Sequence, residues 1–174
     1  MIVSNFVLAI TGPAGSGKST VATKLAKQIE NCVNIDADYV KHIVVNPFIY
    51  DDSSEGINQW VLLGNNIGVL ANNFVKADYK VIINGYINEP AGHKILEHVK
   101  LTYKVLLLPK IEEVIKRDSL RQENVVMGED AVRANHAYFF SSHFFDDFTK
   151  IDSTTHTDEE TVDYIKRSLR LNND

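Results

Sequence analysis

The stretch Gly12-Pro13-Ala14-Gly15-Ser16-Gly17-Lys18-Ser19 matches G-x-x-x-x-G-K-S, the phosphate-binding P-loop pattern. It follows the apolar run Phe6-Val7-Leu8-Ala9-Ile10 and precedes a helical pattern, which is the context in which this motif binds phosphate. The glycines let the chain wrap closely around an anion, so that backbone N–H groups and a helix N-terminus point at a β-phosphate. The sequence therefore predicts a nucleotide site, and the alternative is a glycine-rich structural turn.

Two side chains of the motif have separate expected roles. Lys18 is expected to contact the β- and γ-phosphates, and the Ser19 hydroxyl is a candidate Mg²⁺ ligand. The predicted nucleotide-binding residues of this segment are Gly12, Pro13, Ala14, Gly15, Ser16, Gly17, Lys18, Ser19 and Thr20.

Length and composition predict one domain. The chain has 174 residues, of which 44% are apolar, and this is enough for one sizeable hydrophobic core. No linker rich in Pro, Gly or Ser divides the sequence. Residues 1–174 are therefore expected to fold as a single domain.

Charge and cysteine content narrow the expected partners. The formal net charge is −5 and no cluster of basic residues occurs, which argues against binding to nucleic-acid backbones. Cys32 is the single cysteine, which excludes an intramolecular disulfide and suits a reducing cytosol. No apolar stretch approaches the ~18 residues of a membrane span, and the start lacks the positive region of a signal peptide. We expect a soluble, cytoplasmic protein without nucleic-acid or membrane partners.

Apolar runs and helical patterns alternate along the chain. The predicted strands are residues 3–11, 32–35, 80–83, 103–108 and 148–151, and the predicted helices are residues 18–30, 39–45, 57–76, 90–99, 111–120, 129–143 and 157–169. The last helix begins with a capping box over residues 157–160. This alternation predicts an α/β protein, a three-layer sandwich with a five-stranded parallel sheet and helices on both faces. Ligands are then expected at the carboxyl ends of the strands.

An acidic pair lies where the second predicted strand ends. Phosphoryl transfer needs a divalent cation and a group that orients or deprotonates the nucleophile, and Asp36 and Asp38 could divide these two tasks. For this division the turn after the strand must separate the two side chains. The alternative is that Asp38 is simply the N-cap of the helix that follows.

Three arginines surround the polar segment 121–128. Arg117 and Arg121 are four residues apart at the entry to this segment, and Arg133 lies beyond it. Guanidinium groups suit phosphate oxygens, and a lid that closes over a nucleotide excludes water. The spacing predicts an arginine-bearing lid over approximately residues 117–133. The alternative is that Arg117 and Arg133 are solvated charges on helix surfaces.

The P-loop, the acidic pair and the arginines occur in an order that resembles the small P-loop kinases of metabolites. This group includes shikimate kinase, gluconate kinase and chloramphenicol phosphotransferase, and the resemblance extends over nearly the whole chain. Asn34-Ile35-Asp36-Ala37-Asp38 is similar to the D-x-D segment of shikimate kinase-like enzymes, in which the first acid attends the magnesium and the second contacts the acceptor. The resemblance implies that Asp36 is a metal ligand and that Asp38 is the catalytic base.

Later segments carry the same resemblance. Residues 108–118 and Met127-Gly128-Glu129 are similar to the lid region of kinases close to chloramphenicol phosphotransferase. Ile151-Asp152-Ser153, followed by the helix start at Thr157, resembles their last strand and closing helix. The loop between these two elements usually borders adenine, which implies that Asp152 belongs to the nucleotide site.

One departure from the family pattern concerns the end of the third strand. Related kinases often carry an aspartate there, whereas this chain continues Asn84-Gly85-Tyr86. Because Asn84 cannot serve as a carboxylate, the metal site is expected to rest on Ser19 and Asp36. Asn84 and Tyr86 could instead hydrogen-bond the acceptor, and the alternative for Asn84-Gly85 is a plain turn.

These features together predict an ATP- and Mg²⁺-dependent kinase that moves the γ-phosphate to a hydroxyl of a small molecule. The predicted catalytic residues are Lys18, Asp38, Arg117 and Arg121, and the predicted acceptor residues are Asp38, Tyr39, Asn84, Tyr86 and Arg133. Sugar acids, nucleosides and antibiotic-like compounds all remain candidate acceptors. The acids Asp51, Asp52 and Glu55 are expected to form a solvated loop, or else to repel anionic acceptors.

Two other functions are compatible with a P-loop. Thr149-Lys150-Ile151-Asp152 matches the T-K-x-D pattern of guanine recognition, but no D-x-x-G follows the third strand, where a regulatory GTPase contacts its γ-phosphate. A nucleotide-binding module without turnover is the second alternative. Phe139, Phe140, Phe144, Phe145, Phe148 and Trp60 are expected in the core, with Trp60 a candidate border of the acceptor cleft.

Overall fold

Across residues 5–121 and 126–170, five parallel strands form one sheet. The strands are β1 (Val7–Thr11), β2 (Cys32–Asp36), β3 (Lys80–Asn84), β4 (Tyr103–Leu107) and β5 (Thr149–Ile151), and their order in the sheet is β2-β3-β1-β4-β5. The structure is a computed structural model that describes residues 5–121 and 126–170. β1 is the central strand, and its residue Ile10 is in register with Asn84 of β3 and with Val105 of β4. The segments that follow β1 and β3 therefore leave the sheet side by side.

In the part of the chain that the structure describes, seven α-helices cover the two faces of the sheet. They are α1 (Lys18–Ala26), α2 (Ala37–Lys41), α3 (Ser54–Lys76), α4 (Glu89–His98), α5 (Ile111–Ser119), α6 (Glu129–Ser141) and α7 (Asp158–Ser168), with a short 3₁₀ helix at His143–Phe145. Within residues 5–121 and 126–170, no helix is both long and apolar enough to cross a lipid bilayer.

Alternate residues of β1 belong to two separate hydrophobic cores, because successive side chains of a strand point to opposite faces of the sheet. Leu8 and Ile10 pack with residues of α1 and α7, whereas Val7 packs with residues of α3 and α4. All five residues of the strand are buried, as expected for a parallel sheet covered on both sides. The predicted α/β class and its layered arrangement are confirmed.

The start of α2 differs from the prediction. The N-cap is Asp36, whose Oδ1 accepts a hydrogen bond of 2.9 Å from the Asp38 backbone N–H. The interpretation of Asp38 as the cap is therefore wrong, and the helix begins at Ala37, two residues earlier than expected. Asp38 instead lies in the first turn of α2.

Two other helix ends differ from the predicted ones by a few residues, for local reasons. α1 ends at Ala26, four residues early, because Gln28 and Ile29 donate to carbonyls three residues back and tighten the chain into a turn. α3 begins at Ser54, because the Ser53 side chain accepts from the Gly56 N–H. The capping box is confirmed, with Thr157 as the N-cap of α7.

The phenylalanines of the segment 139–148 form a third core under α6, with one exception. Phe139, Phe145 and Phe148 are buried and pack against Leu106 of β4. Phe140 is 68% exposed, so its placement in the core was wrong. Consecutive helical residues point about 100° apart, and α6 turns Phe140 to solvent when it buries Phe139.

Candidate active site

The P-loop connects β1 to α1 through backbone conformations that favour glycine. Gly12, Gly15 and Gly17 have φ values of 153°, 81° and 88°. A Cβ at Gly12 would lie 2.3 Å from the Leu107 carbonyl oxygen, so any side chain here would displace the neighbouring strand. The loop is therefore held closely against the edge of the sheet.

The hollow of the loop has the features of an anion site. Gly17 is the N-cap of α1 and supplies no side-chain hydrogen bond, so no cap covers the first N–H groups of the helix. Ser16 Oγ is buried and has no hydrogen-bond partner among residues 5–121 and 126–170. Phosphate oxygens would satisfy both kinds of donor.

Lys18 is buried at the first position of α1. Its Nζ donates to the Pro13 carbonyl oxygen at 3.2 Å. Burial lowers the pKa of the Lys18 ammonium, while the nearby Asp38 charge raises it and Arg121 lowers it. A bound polyphosphate would supply the negative charge that this buried cation needs.

The turn after β2 separates the two acids. Asp38 lies beside Lys18 in the lining of a cavity, whereas Asp36 is used as the α2 cap. Burial raises the pKa of the Asp36 carboxyl, and the Lys18 charge lowers it by a smaller amount. Both carboxylates are near enough to Lys18 to raise its pKa.

The cavity that contains Lys18 and Asp38 has a volume of about 1130 Å³. Besides these two residues it is lined by Ala14, His42, Tyr50, Asp52, Ile57, Trp60, Tyr86, Asn88, Glu89, Pro90, Arg121, Met127, Ala131, Ala134, Asn135 and Tyr138. It therefore extends from the P-loop to α3, α4 and α6. A cavity of this size can hold a small molecule beside a triphosphate.

Four of the lining side chains form a continuous aromatic wall, which we define as Tyr50, Trp60, Tyr86 and Tyr138. The ring centroids of Tyr50 and Trp60 are 5.1 Å apart, those of Trp60 and Tyr86 are 5.4 Å apart, and those of Tyr86 and Tyr138 are 6.5 Å apart. Burial, with a contribution from Asp38, raises the pKa of Tyr50 to about 12. Burial likewise raises the pKa of Tyr86 and Tyr138. All three phenols are therefore neutral at pH 7 and offer hydrogen bonds rather than charge.

The three predicted lid arginines have different surroundings. Arg117 donates to Glu113 at 2.9 Å and to the Ser153 carbonyl oxygen at 3.1 Å, on the side of the P-loop where Gly15 faces α5. Arg121 lines the cavity and pairs with Asp118 at 3.5 Å. Arg133 is paired at 2.7 Å with Glu129 on the exposed side of α6 and is not among the described lining residues.

The predicted lid, approximately residues 117–133, includes a segment that the structure does not describe. Residues 122–125 lie outside the described residues, so the lid's form stays a prediction.

Three further predicted site residues lie away from the cavity. Tyr39 is 80% exposed on α2. Asn84 is buried and its Nδ2 donates to Asn34 Oδ1 at 2.9 Å, toward β2. Asp152 accepts from both the backbone and the hydroxyl of Thr154, and it lines a separate cavity of about 330 Å³.

The turn that follows Asn84 is tied to β1. The Gly85 N–H donates to the Ile10 carbonyl oxygen at 3.3 Å, and the Thr11 hydroxyl donates to the Gly85 carbonyl oxygen at 3.0 Å. These bonds hold Tyr86 over the cavity. Among the predicted acceptor residues, the structure thus brings Asp38 and Tyr86 together and leaves Tyr39, Asn84 and Arg133 apart.

Asn135 on α6 was not among the predicted site residues. Its Oδ1 accepts from the Ala14 N–H of the P-loop at 2.9 Å, and its side chain also hydrogen-bonds Tyr86. Ala131, Asn135 and Tyr138 recur at four- and three-residue steps, so this spacing would have marked them as one helix face. No motif identifies that face, because its partner lies 121 residues away in the chain.

Lys41 has a structural role that was not predicted from the sequence. It is 1% exposed, and its Nζ donates to the Ile49 carbonyl oxygen at 2.8 Å and to Gln59 Oε1 at 2.6 Å. The same Nζ lies 4.8 Å from the ring centroids of Phe48 and Trp60. Desolvation lowers the pKa of this ammonium. Lys41 therefore supports Trp60 from outside the cavity.

Comparison with solved structures identifies the fold. A sugar kinase from Janibacter sp. HTCC2649 superposes with a TM-score of 0.74 at 14% identity, covering 95% of each chain. A gluconokinase from Sinorhizobium meliloti 1021 gives a TM-score of 0.67 at 14% identity, covering 97% of this chain and 93% of its own. The tunicamycin resistance protein of Deinococcus radiodurans gives 0.69 at 13% identity, covering 97% and 98%. This chain has the fold of the P-loop small-molecule kinases.

Sequence comparison adds no relative. No protein-family model matches the chain, and no curated protein sequence matches it.

Proposed function

We propose that this protein is a kinase that transfers the γ-phosphate of ATP to a hydroxyl group of a small molecule. The observation that carries the proposal is that one cavity is lined by the P-loop residues Ala14 and Lys18 and by Asp38. A phosphate-binding group and a candidate base thus face the same space, next to room for an acceptor. The kinase fold of the solved structures that resemble this chain supports the same conclusion.

The donor side is formed by the P-loop and α1. Its N–H groups and Lys18 would hold the β- and γ-phosphates. Ser19, in the first turn of α1, and Asp36, at the end of β2, would hold a Mg²⁺ ion, since this cation prefers oxygen ligands and retains several waters and phosphate oxygens. When bound, the ion would neutralise charge on the phosphates. Arg117 would lie on the adenine side of the nucleotide, since it donates a hydrogen bond to the Ser153 carbonyl oxygen.

The acceptor side faces Lys18 from the opposite part of the cavity. Asp38 would accept or orient the proton of the attacking hydroxyl. Arg121 would stabilise the charge that develops on the transferred group. Most of the rate acceleration would come from holding the reacting hydroxyl between Asp38 and the γ-phosphate, because positioning is a main source of catalysis in phosphoryl transfer.

The test is a screen of ATP consumption against a library of hydroxylated metabolites, with ATP and GTP binding measured separately by calorimetry. The proposal predicts that at least one acceptor stimulates ATP consumption and yields a phosphorylated product. Strong preference for GTP with no acceptor would favour a GTPase. ATP binding with neither an acceptor nor turnover would favour a binding module.

Asn135 provides a further test of this site. The variant Asn135→Ala removes the acceptor of the Ala14 N–H and the link to Tyr86. Since a hydrogen bond contributes about 1 kcal/mol net, we expect kcat/KM to fall about fivefold, with little change in the melting temperature. Asn73→Ala, at an exposed position on α3, is the matched control. An unchanged kcat/KM would show that α6 does not position the P-loop.

A further inference from the structure

We propose that the acceptor is an alcohol that carries a planar apolar group and a basic nitrogen, and that the cavity rejects carboxylate acceptors such as sugar acids. This inference rests on the proposed function, because it assigns the substrate class of the same site. Three features support it: the aromatic wall, the distribution of charge around the cavity, and the position of Lys41.

The aromatic wall favours a planar apolar group. Trp60 is 2% exposed, and its neighbours Tyr50 and Tyr86 contact it on either side. The rings of Tyr50 and Trp60 meet edge to face at 78°, and those of Trp60 and Tyr86 are tilted by 43°, so a ring of an acceptor would pack against them through edge-to-face and offset contacts. A compact polyol would leave much of the same surface uncovered. The wall therefore selects for shape and for apolar area.

Positive charge in the cavity lies at the phosphate end. Of the described lining residues, only Lys18 and Arg121 are lysine or arginine. Lys18 is fixed on the P-loop carbonyl of Pro13, and Arg121 is paired with Asp118. The proposed reaction engages both cations with phosphate, so neither remains for an acceptor carboxylate. The third basic group, His42, has Nδ1 against the Asp38 carbonyl oxygen at 2.5 Å and stacks on Phe48.

Negative charge lies beside the far end of the aromatic wall. Glu89, at the start of α4, donates its backbone N–H to the Tyr138 hydroxyl at 2.9 Å. Its carboxylate lies 3.4 Å from His93 Nε2, and, after burial, its charge is among the causes that raise the pKa of Tyr138. Asp52 also lines the cavity, and after burial its charge is among the causes that raise the pKa of Tyr86 and Tyr138. An ammonium group of an acceptor would be attracted by these carboxylates, whereas a carboxylate at the same place would meet like charge.

Lys41 does not reverse this conclusion. Its ammonium lies behind Trp60, outside the described cavity lining. Two of its donors are used by Ile49 and Gln59. These bonds, together with the rings of Phe48, Tyr50 and Trp60 at 4.8, 5.3 and 4.8 Å from Nζ, hold the ammonium apart from the described cavity lining.

Trp60 allows a test that does not depend on turnover, because it is the single tryptophan of the chain and lies in the wall of the cavity. We would titrate the full chain, without nucleotide, with phenylalaninol, N-acetylphenylalaninol and 3-phenyllactate while recording tryptophan fluorescence. The three probes share a phenyl ring and a hydroxyl and differ in carrying an amine, a neutral amide or a carboxylate. We expect phenylalaninol to bind at least about tenfold more tightly than 3-phenyllactate, with the neutral probe between them.

Variants locate the source of the preference. The double variant Asp52→Asn, Glu89→Gln is expected to bind phenylalaninol about fivefold more weakly than the wild type. Its affinity for 3-phenyllactate is expected to be unchanged or higher. Glu55→Gln is the matched control, because Glu55 belongs to the same acidic segment but is not among the described lining residues. Equal or tighter binding of 3-phenyllactate to the wild-type protein, or no fluorescence response to any probe, would overturn the inference. So would an unchanged preference in the double variant.

The two proposals can fail separately. If ATP is consumed with carboxylate acceptors and 3-phenyllactate binds more tightly, the kinase assignment stands and the assignment of the acceptor class is wrong. If phenylalaninol is preferred and no alcohol is ever phosphorylated, the charge selectivity stands and the kinase assignment is wrong.

Discussion

Replacing Lys18 with alanine is expected to lower acceptor-dependent ATP consumption by about 10³-fold or more, since charge stabilisation of the transferring phosphoryl group is usually the largest catalytic contribution. Lys18 is the cation that lies directly on the P-loop, and its Nζ is 3.2 Å from the Pro13 carbonyl oxygen. Alanine leaves the loop's glycine conformations in place but removes this charge. Steady-state turnover and ATP affinity by calorimetry measure the effect.

Lys24→Ala is the matched control for that experiment. Lys24 is on the same helix, and its ammonium pairs with Asp158 and Glu159 of α7 at 3.2 and 2.5 Å. Exposed ion pairs of this kind contribute little to stability, so turnover is expected to remain near that of the wild type. Turnover preserved in Lys18→Ala would remove the P-loop from the proposed mechanism.

Asp38→Asn is expected to separate binding from chemistry. The amide keeps the size of the side chain but cannot accept the hydroxyl proton, so phosphoryl transfer should fall by about 10²- to 10⁴-fold. ATP affinity should stay within about twofold, because a base that acts on the acceptor contributes mainly to the transition state. Calorimetry with ATP and single-turnover formation of phosphorylated product measure the two quantities.

Asp163→Asn, at an exposed position on α7, controls for the loss of a carboxylate elsewhere. Undiminished transfer in Asp38→Asn would exclude that residue as the base. A loss of ATP affinity equal to the loss of transfer would instead assign Asp38 to the nucleotide or the metal ion.

Local sequence patterns predicted the sheet and the phosphate-binding loop. The P-loop's conformation follows from glycines at positions where φ is positive, so a short motif was sufficient to identify it. The strands are buried on both faces and therefore appear as apolar runs, which predicted the parallel sheet. The acidic pair was located correctly at the end of β2, although Asp36 rather than Asp38 proved to be the cap.

The arrangement of side chains around the acceptor space could not be predicted in the same way. Arg133 was expected near the acceptor but pairs with Glu129, because its position on α6 turns it away from the face that carries Asn135. Phe140 is exposed for the same geometric reason. A helix's rotation about its axis depends on which face packs, and no local pattern in α6 specified that face.

The sequence by itself determined the glycine-rich loop and the end of the sheet at which we propose that phosphate binds, because backbone conformation and strand burial depend on residues close together in the chain. Only the tertiary structure decided which side chains line the cavity across from the P-loop. Tyr50, Trp60, Tyr86 and Tyr138 come from four separate segments, and Asn135 reaches Ala14 across 121 residues. These side chains meet because α3, α4 and α6 pack around one cavity, and such contacts depend on helix placement rather than on sequence spacing.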